Sequence, residues 1–295
     1  MTTPSLLIMF RTHMSRPHTD EGTGDALFLV HGHPFDRTMW APQIAEFSRT
    51  HRVIAPDLRG YGSAPLDPRT PGTTLLTDFA EDVRALADDL GVEKFTLGGL
   101  SMGGQIVMEC YRLFPERVAG LLLADTFPDA ETPEGRAARN AMADRLLREG
   151  MAGYADEVLD TMVAPYAHAS VRAHVHRMMT STHPAGAAAA LRGRAQRPDY
   201  RALLTTVDVP ALVVVGRDDV HTPVADAEAM HAALPDSALT VVEDAAHLPN
   251  LEQPGVFNDA LRGLLSRVAA HTPAPHSPAR AHTKAPVHTK ARAKA

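Results

Sequence analysis

Short apolar runs alternate with segments of helical periodicity along most of the chain. Four runs in the first half predict strands, because continuous apolar character is typical of strands buried on both faces of a parallel sheet. They cover residues 25–30, 52–55, 94–97 and 118–124. Helix-spaced apolar residues lie between or after these runs at 39–49, 75–90 and 105–112. The pattern predicts an α/β fold with a mostly parallel sheet and helices on both faces.

The alternation stops between residues 127 and 204, where the chain is rich in Ala, Arg and Met and has several helical patterns. It resumes with strands at 211–215 and 238–242 and helices at 224–234 and 255–268. We therefore expect a helical insertion between two parts of one core domain. The predicted organisation is core at 1–126, a helical cap or lid at 127–204, core at 205–270 and a basic tail at 271–295.

The two ends of the chain depart from this pattern. Residues 1–24 predict a lead-in with one edge strand at 6–10, and no small-residue cleavage site of a secretion signal follows. Residues 271–295 contain the unit His-Thr-Lys-Ala twice, several Lys and Arg and no acid, so they have little apolar surface to bury. We expect a disordered tail, with binding of a polyanion or metal as the less favoured alternative.

Ser101 stands at the centre of the segment Gly99-Leu100-Ser101-Met102-Gly103, which matches G-x-S-x-G. This motif places a serine on a sharp turn between a strand and a helix, and both elements are predicted here. Small flanking residues allow the strained backbone that presents the hydroxyl, and the next helix directs its N-terminus at a developing oxyanion. The pattern predicts that Ser101 is a nucleophile, against the alternative of a chance match in a glycine-rich turn.

A serine nucleophile needs a base and an acid that orients the base. His247 follows the last predicted strand, a position that favours the role of base over that of an ordinary packed histidine. Asp218 and Asp219 both follow one late strand, and Asp125 follows the preceding core strand. Their positions at strand ends leave all three open as the acid.

An oxyanion hole requires two main-chain donors. We expect them from Met102, which follows the nucleophile, and from His33 in the loop after the strand at 25–30. The side chain of His33 either lines the substrate pocket or simply packs. His31 and His33 with Asp36 also resemble the start of a zinc site, but the spacing departs from the metallo-β-lactamase pattern. We therefore predict no metal and no cofactor.

Size and charge narrow the functions further. With 295 residues, 44% of them hydrophobic, the chain can form one large soluble domain with a substantial core. Residues 1–270 hold all 35 acidic residues and most of the 29 basic ones, and this acidic balance argues against a nucleic-acid partner. No apolar stretch reaches the roughly 18 residues of a membrane span. The single cysteine, Cys110, fits a reducing, cytoplasmic location and is expected in the core.

Five motifs in chain order carry a resemblance to a known family. They are HGHPFDRTMW, DLRGYGSAP, GLSMGG, GRDDVHTP and DAAHLPNLEQP. Over about residues 25–268 the chain resembles the serine α/β-hydrolases, and it is similar to the branch of 3-oxoadipate enol-lactonases, small carboxylesterases and cofactor-free haloperoxidases. The resemblance implies the α/β-hydrolase fold with a lid, Ser101 as nucleophile, His247 as base and Asp219 as acid. Ala246 stands where this family often has glycine.

The resemblance implies a serine hydrolase that cleaves a small carboxylic ester or lactone through an acyl-enzyme intermediate. Serine rather than aspartate at position 101 argues against dehalogenation and epoxide opening. Acyl transfer to an acceptor other than water and a non-catalytic ligand-binding role are the alternatives, and the oligomeric state is left open. Residues 161–201 hold one acid, Asp199, and the six arginines Arg172, Arg177, Arg192, Arg194, Arg197 and Arg201. These arginines either attract an anionic substrate or form a solvated helix face, and we favour the second interpretation.

Overall fold

A seven-stranded sheet forms the centre of the computed structural model, which describes residues 16–68 and 72–271. The strands are β1 (His18–Glu21), β2 (Ala26–Val30), β3 (Arg52–Pro56), β4 (Phe95–Leu100), β5 (Val118–Ala124), β6 (Ala211–Gly216) and β7 (Ser237–Val242). Their spatial order is β1-β3-β2-β4-β5-β6-β7. Strand β1 is antiparallel to β3, and the other neighbouring pairs are parallel. The predicted mostly parallel sheet is confirmed.

Helices cover both faces of this sheet, as expected from its apolar strands. Those of the core are α1 (Ala41–Phe47), α2 (Leu76–Asp89), α3 (Met102–Leu113), α9 (Val224–Ala233), α10 (Pro249–Glu252) and α11 (Pro254–His271). Phe28 and Val30 of β2 pack in the hydrophobic cluster that contains α2 and α3, whereas Leu27 and Leu29 pack in the cluster that contains α11. Alternate residues of one strand thus enter opposite layers, which explains its continuous apolar run.

Between β5 and β6 the described chain contains helices and no strand. These are α4 (Pro133–Glu149), α5 (Ala152–Met162), α6 (Ala169–Ser181), α7 (Pro184–Arg194) and α8 (Arg201–Leu204). Helix α7 lies directly on the core, because a Cβ atom on Gly186 would collide with the carbonyl oxygen of Gly60, and one on Gly193 with that of Thr74. The N–H of Thr74 also donates to the carbonyl oxygen of Ala189 at 3.0 Å.

Several details differ from the sequence predictions. Strand β1 was not predicted, because its residues His-Thr-Asp-Glu are polar and half-buried or exposed at the sheet edge. The predicted helix at 39–49 is divided into a 3₁₀ turn, Arg37–Trp40, and the short α1, with Pro42 near the start of α1. The predicted strand at 6–10 and the tail beyond His271 lie outside the described residues. Among the described residues, no helix combines the length and apolar character needed to cross a membrane.

Candidate active site

Ser101 occupies a turn of a single residue between β4 and α3. Its backbone has φ 58° and ψ −117°, a left-handed conformation that is strained for any residue with a side chain. The turn is tighter than the gap between the predicted strand at 94–97 and the predicted helix at 105–112, because glycines permit backbone contact across it. A Cβ atom on Gly99 would collide with the backbone of Gly103, and one on Gly103 with the carbonyl oxygen of Val30. These contacts fix the position of the Ser101 backbone at the carboxyl edge of the sheet.

His247 and Asp219 form a buried hydrogen-bonded pair at the same edge. Nδ1 of His247 lies 2.7 Å from Oδ2 of Asp219. The same oxygen accepts a hydrogen bond from the hydroxyl of Thr222, and Oδ1 accepts one from the N–H of His221 at 2.8 Å. Burial raises the pKa of Asp219, but the imidazole and these hydrogen bonds outweigh burial and lower the pKa to about 2. Asp219 is therefore a carboxylate at neutral pH, and it holds the Nδ1 proton of His247.

Glu252, which the sequence analysis did not select, holds the loop that carries His247. Oε1 of Glu252 accepts hydrogen bonds from the N–H of Ala246 at 3.0 Å and of Leu248 at 3.3 Å. Its Oε2 accepts from the N–H of Ala164, at 2.7 Å, in the helical segment. Glu252 thus fixes both neighbours of His247 and links this loop to the helices. Its position five residues after His247, at the end of α10, was the available signal.

The two other candidate acids have different surroundings. Asp218 is exposed and accepts a hydrogen bond from the hydroxyl of Tyr166. Asp125 is buried, its Oδ1 accepts from the N–H of Gly216 at 2.9 Å, and a polar atom of Asp125 lies within 4.8 Å of those of Asp219 and His247. Burial, and then the charge of Asp219, raise the pKa of Asp125 well above its usual value. Asp125 therefore favours the neutral acid form behind the pair.

Ser101 and His247 lie at the same edge of the sheet, Ser101 after β4 and His247 after β7. In the described part of the chain their side chains form no hydrogen bond with each other. Both residues are nearly inaccessible, with Ser101 8% and His247 2% exposed. The structure thus brings Asp219 to His247, while Ser101 lies at the same edge at the end of β4, with β5 between β4 and β6.

The loop after β2 lies against the serine turn, since a Cβ atom on Gly32 would be 2.9 Å from the carbonyl oxygen of Leu100 and 3.2 Å from Cβ of Ser101. Within the described residues, the N–H groups of His33 and Met102 donate to no other group. Met102 is the first residue of α3, where an N–H has no partner inside the helix. The two predicted oxyanion donors are therefore unengaged in this structure.

The zinc alternative at His31, His33 and Asp36 finds no matching geometry among the described residues. Nδ1 of His31 donates to the carbonyl oxygen of Gly32 at 2.9 Å, and its Nε2 accepts from the N–H of Leu58 at 3.0 Å. Asp36 caps the following 3₁₀ turn. His33 is buried, and its Nδ1 lies 2.7 Å from the hydroxyl of Tyr61. Both nitrogens of His31 are thus engaged with backbone.

The six arginines of residues 161–201 do not form one solvated surface. Arg172, Arg192 and Arg201 pair with acids at the surface, as a solvated face predicts. Two others are buried: Arg197, which pairs with Glu131 at 2.5 Å, and Arg194, whose Nε donates to Oε1 of Gln105 at 3.1 Å. The favoured interpretation therefore fails for these two residues, because a count of charges carries no information on burial.

The chain matches one protein-family model and several known proteins. Residues 27–260 match the model of the family described as "Alpha/beta hydrolase family". The chain is 30% identical over 234 residues to 3-oxoadipate enol-lactonase 2 of Acinetobacter baylyi, an alignment that covers 78% of this chain and 84% of the relative. It is similar, with 39% identity and a TM-score of 0.84, to the structure of a thermophilic esterase from Thermogutta terrifontis with malate bound, covering 86% and 94% of the two chains. The enol-lactonase of Burkholderia xenovorans is 25% identical, with a TM-score of 0.77 and coverage of 86% and 98%.

Proposed function

Because the chain belongs to the alpha/beta hydrolase family, we propose that it is a serine hydrolase that cleaves a small carboxylic ester or lactone through an acyl-enzyme intermediate. The observation that carries the proposal is the buried Asp219–His247 pair, with its hydrogen bond of 2.7 Å, at the same sheet edge as a strained Ser101. The names of similar proteins, esterases and enol-lactonases, support the same bond class.

In the proposed mechanism, Oγ of Ser101 attacks the substrate carbonyl while Nε2 of His247 accepts the hydroxyl proton. Asp219 keeps the other imidazole proton on Nδ1 and stabilises the imidazolium that forms. The N–H groups of His33 and Met102 stabilise the oxyanion. His247 then returns its proton to the leaving oxygen and activates the water that releases the acid. The step requires Ser101 Oγ to come within hydrogen-bond distance of Nε2 when substrate binds.

Burial of the site gives the helical segment its proposed role. Ser101 and His247 are both less than a tenth exposed, and Ala164 of the helical segment donates to Glu252 beside His247, so we infer that this segment covers the site. We assign this role to a lid at 127–204, inserted between core parts 1–126 and 205–270. A closed lid then excludes water and shapes the pocket for the acyl or leaving group.

A fluorophosphonate probe and a panel of p-nitrophenyl esters and lactones test the proposal. We expect covalent labelling at Ser101, and a loss of kcat on the order of 10⁶ in Ser101→Ala, as for a comparable serine triad. Circular dichroism of the variant controls for folding. An unlabelled wild-type protein, or a Ser101→Ala variant with full activity, would contradict the proposal.

Two further measurements separate the alternatives. Activity that survives exhaustive chelation is expected for a serine mechanism, whereas its loss points to a metallohydrolase. Product analysis with and without candidate acceptor alcohols distinguishes hydrolysis from acyl transfer, since transfer yields a new ester in place of the free acid. We expect the free acid.

A further inference from the structure

One charged side chain of the helical segment is buried beside the serine turn, and no acid among the described residues pairs with it. Arg194, the last residue of α7, is only 7% exposed. Its Nε donates to Oε1 of Gln105 at 3.1 Å, and the N–H of Gln105 donates to the carbonyl oxygen of Ser101 at 3.2 Å. A single residue thus connects this guanidinium to the turn of the proposed nucleophile.

Arg139 and Arg197 pair with an acid, whereas Arg194 pairs with none in the described ranges 16–68 and 72–271. Glu131 accepts hydrogen bonds from Arg139 and from Arg197. In the part of the chain that the structure describes, Arg194 forms no ion pair, and its two terminal nitrogens have no acceptor. Burial and the charges of Arg139 and Arg197 lower the pKa of Arg194, yet a guanidinium keeps its proton in proteins. A buried charge of this kind requires a counterion that the described residues do not supply.

Two further polar atoms in this region lack partners among the described residues. They are Nε2 of Gln105 and Nε2 of His33, and both side chains are more than nine-tenths buried. The charge of Arg194 adds to burial in lowering the pKa of His33 and of His221, whose ring centroid lies 5.1 Å from that of His247. The amide donor Nε2 of Gln105 thus lies beside the guanidinium of Arg194 without a partner among the described residues, and both groups suit an acceptor with negative charge.

We propose that Arg194, oriented by Gln105, binds a carboxylate of the substrate, so that the enzyme acts on esters or lactones that carry an additional, ionised carboxyl group. The inference rests on the proposed function, because it names the substrate class of the same site. Gln105 holds Nε and leaves the two terminal nitrogens in a fixed plane, a geometry that suits a carboxylate. The contact is strong because it forms away from water.

Matched pairs of substrates test this inference. For a carboxylate on the acyl side, p-nitrophenyl hydrogen glutarate is compared with its methyl ester, and release of p-nitrophenol is followed for both. For a carboxylate on the alcohol side, p-acetoxybenzoate is compared with its methyl ester. We expect the wild-type protein to have a kcat/KM about tenfold or more higher for the anionic member of one pair, and the preferred pair identifies the side. Equal values in both pairs overturn the inference without any variant.

The variant Arg194→Gln removes the charge and keeps a polar side chain. We expect kcat/KM for the anionic substrate to fall about tenfold or more, mainly through KM, while the value for its neutral partner changes less than about threefold. Arg177→Gln, at an exposed arginine of α6, is the matched control and is expected to leave both values within about twofold. A loss of equal size on both substrates would mean that Arg194 is structural, and this result overturns the inference.

The outcomes also separate this inference from the proposed function. If Ser101 is labelled and neutral esters are cleaved without preference for anionic ones, only the assignment of Arg194 fails. If Ser101 is not labelled and no ester is cleaved, the proposed function fails and the substrate class fails with it. As a measurement independent of turnover, glutarate is expected to slow labelling of Ser101 in the wild-type protein but not in Arg194→Gln.

Discussion

The carboxyl edge of the sheet and the helical segment satisfy their charged groups in different ways. At the edge, Asp219 is buried and receives three hydrogen bonds, and His247 is its direct partner. In the helical segment, most arginines pair with acids, while Arg194 is buried beside the edge with an amide as its only described partner. The carboxylate of Asp219 is thus paired at the sheet edge, whereas the guanidinium of Arg194 has no acidic partner among the described residues.

This difference indicates that the two regions have different functional roles. In the proposed mechanism the sheet edge is the reaction centre, and its carboxylate Asp219 is compensated by hydrogen bonds from the protein itself. In the proposed assignment of Arg194, a ligand of opposite charge compensates the guanidinium, so this residue selects among substrates. Changes at the edge should therefore alter the rate for every substrate, and changes around Arg194 should alter the choice among substrates.

Of the next three variants, Asp219→Asn should have the largest effect, and it should alter the sheet edge without altering the helical segment. The amide is of similar size but does not stabilise an imidazolium or fix its tautomer, so we expect kcat to fall about 10⁴-fold for anionic and neutral esters alike. The exposed neighbour Asp218→Asn is the matched control and should retain activity within a few fold. If the two variants lost activity equally, the assignment of Asp219 as the acid would be wrong.

Glu131→Gln should lower the stability of the helical segment without altering the hydrogen bonds at the sheet edge. Burial raises the pKa of Glu131, but Arg139 and Arg197 outweigh burial and lower it to about 2 from an ordinary 4.5. The carboxylate therefore stabilises the fold above pH 4.5, and this stabilisation is lost as the pH falls toward 2. We expect the variant to lower the free energy of unfolding by about 1–2 kcal/mol at pH 7, with a smaller difference in acid.

Urea unfolding at several pH values measures this difference. Glu157→Gln, which removes one of two exposed acids that pair with Arg145, serves as control and should leave the unfolding midpoint almost unchanged. If the loss in the free energy of unfolding of Glu131→Gln stayed constant from neutral pH into acid, the lowered pKa assigned to Glu131 would be contradicted.

Asp125→Asn should have the smallest effect, and it tests whether the carboxyl group of Asp125 at the sheet edge holds a proton in the folded protein. Burial and the charge of Asp219 raise the pKa of Asp125, so the folded protein retains a proton that the unfolded chain releases above about 3.8. Stability from this group is present at low pH and is lost as the pH rises toward the folded pKa. The amide has no such proton to lose, and we expect the variant to gain on the order of 1 kcal/mol relative to the wild-type protein between pH 5 and 8. Urea unfolding at pH 5 and at pH 8 measures the difference in stability between the variant and the wild-type protein. A difference that becomes smaller as the pH rises would refute the prediction.

The sequence was informative where burial leaves a periodic pattern. Alternate residues of β2 enter opposite hydrophobic layers, so its continuous apolar run predicted a central strand correctly. Strand β1 carries polar residues at an edge, and no periodicity distinguishes it from a loop. Ser101, Asp219 and His247 were placed at strand ends, and parallel strands bring such ends to one edge of the sheet.

The remaining features depend on contacts between distant residues. Nothing in the sequence indicates that Arg194 is buried whereas Arg177 is exposed, because both belong to helices with weak apolar patterning. The contact from Arg194 to Gln105 spans 89 positions. Asp125 and Asp219 likewise look equivalent as strand-end acids until the hydrogen bond to His247 distinguishes them.

The glycine contacts under α7 have a consequence for any opening of the proposed lid. Where Gly186 approaches Gly60 and Gly193 approaches Thr74, backbone lies against backbone, and no flexible side chain lies between them to absorb sliding. We therefore expect α7 to stay fixed on the core together with α4, which packs against it through Ala143 and Leu146, so that α5 and α6 are the mobile part of the proposed lid. Arg194, at the end of α7, then keeps its position relative to Ser101 when the lid opens.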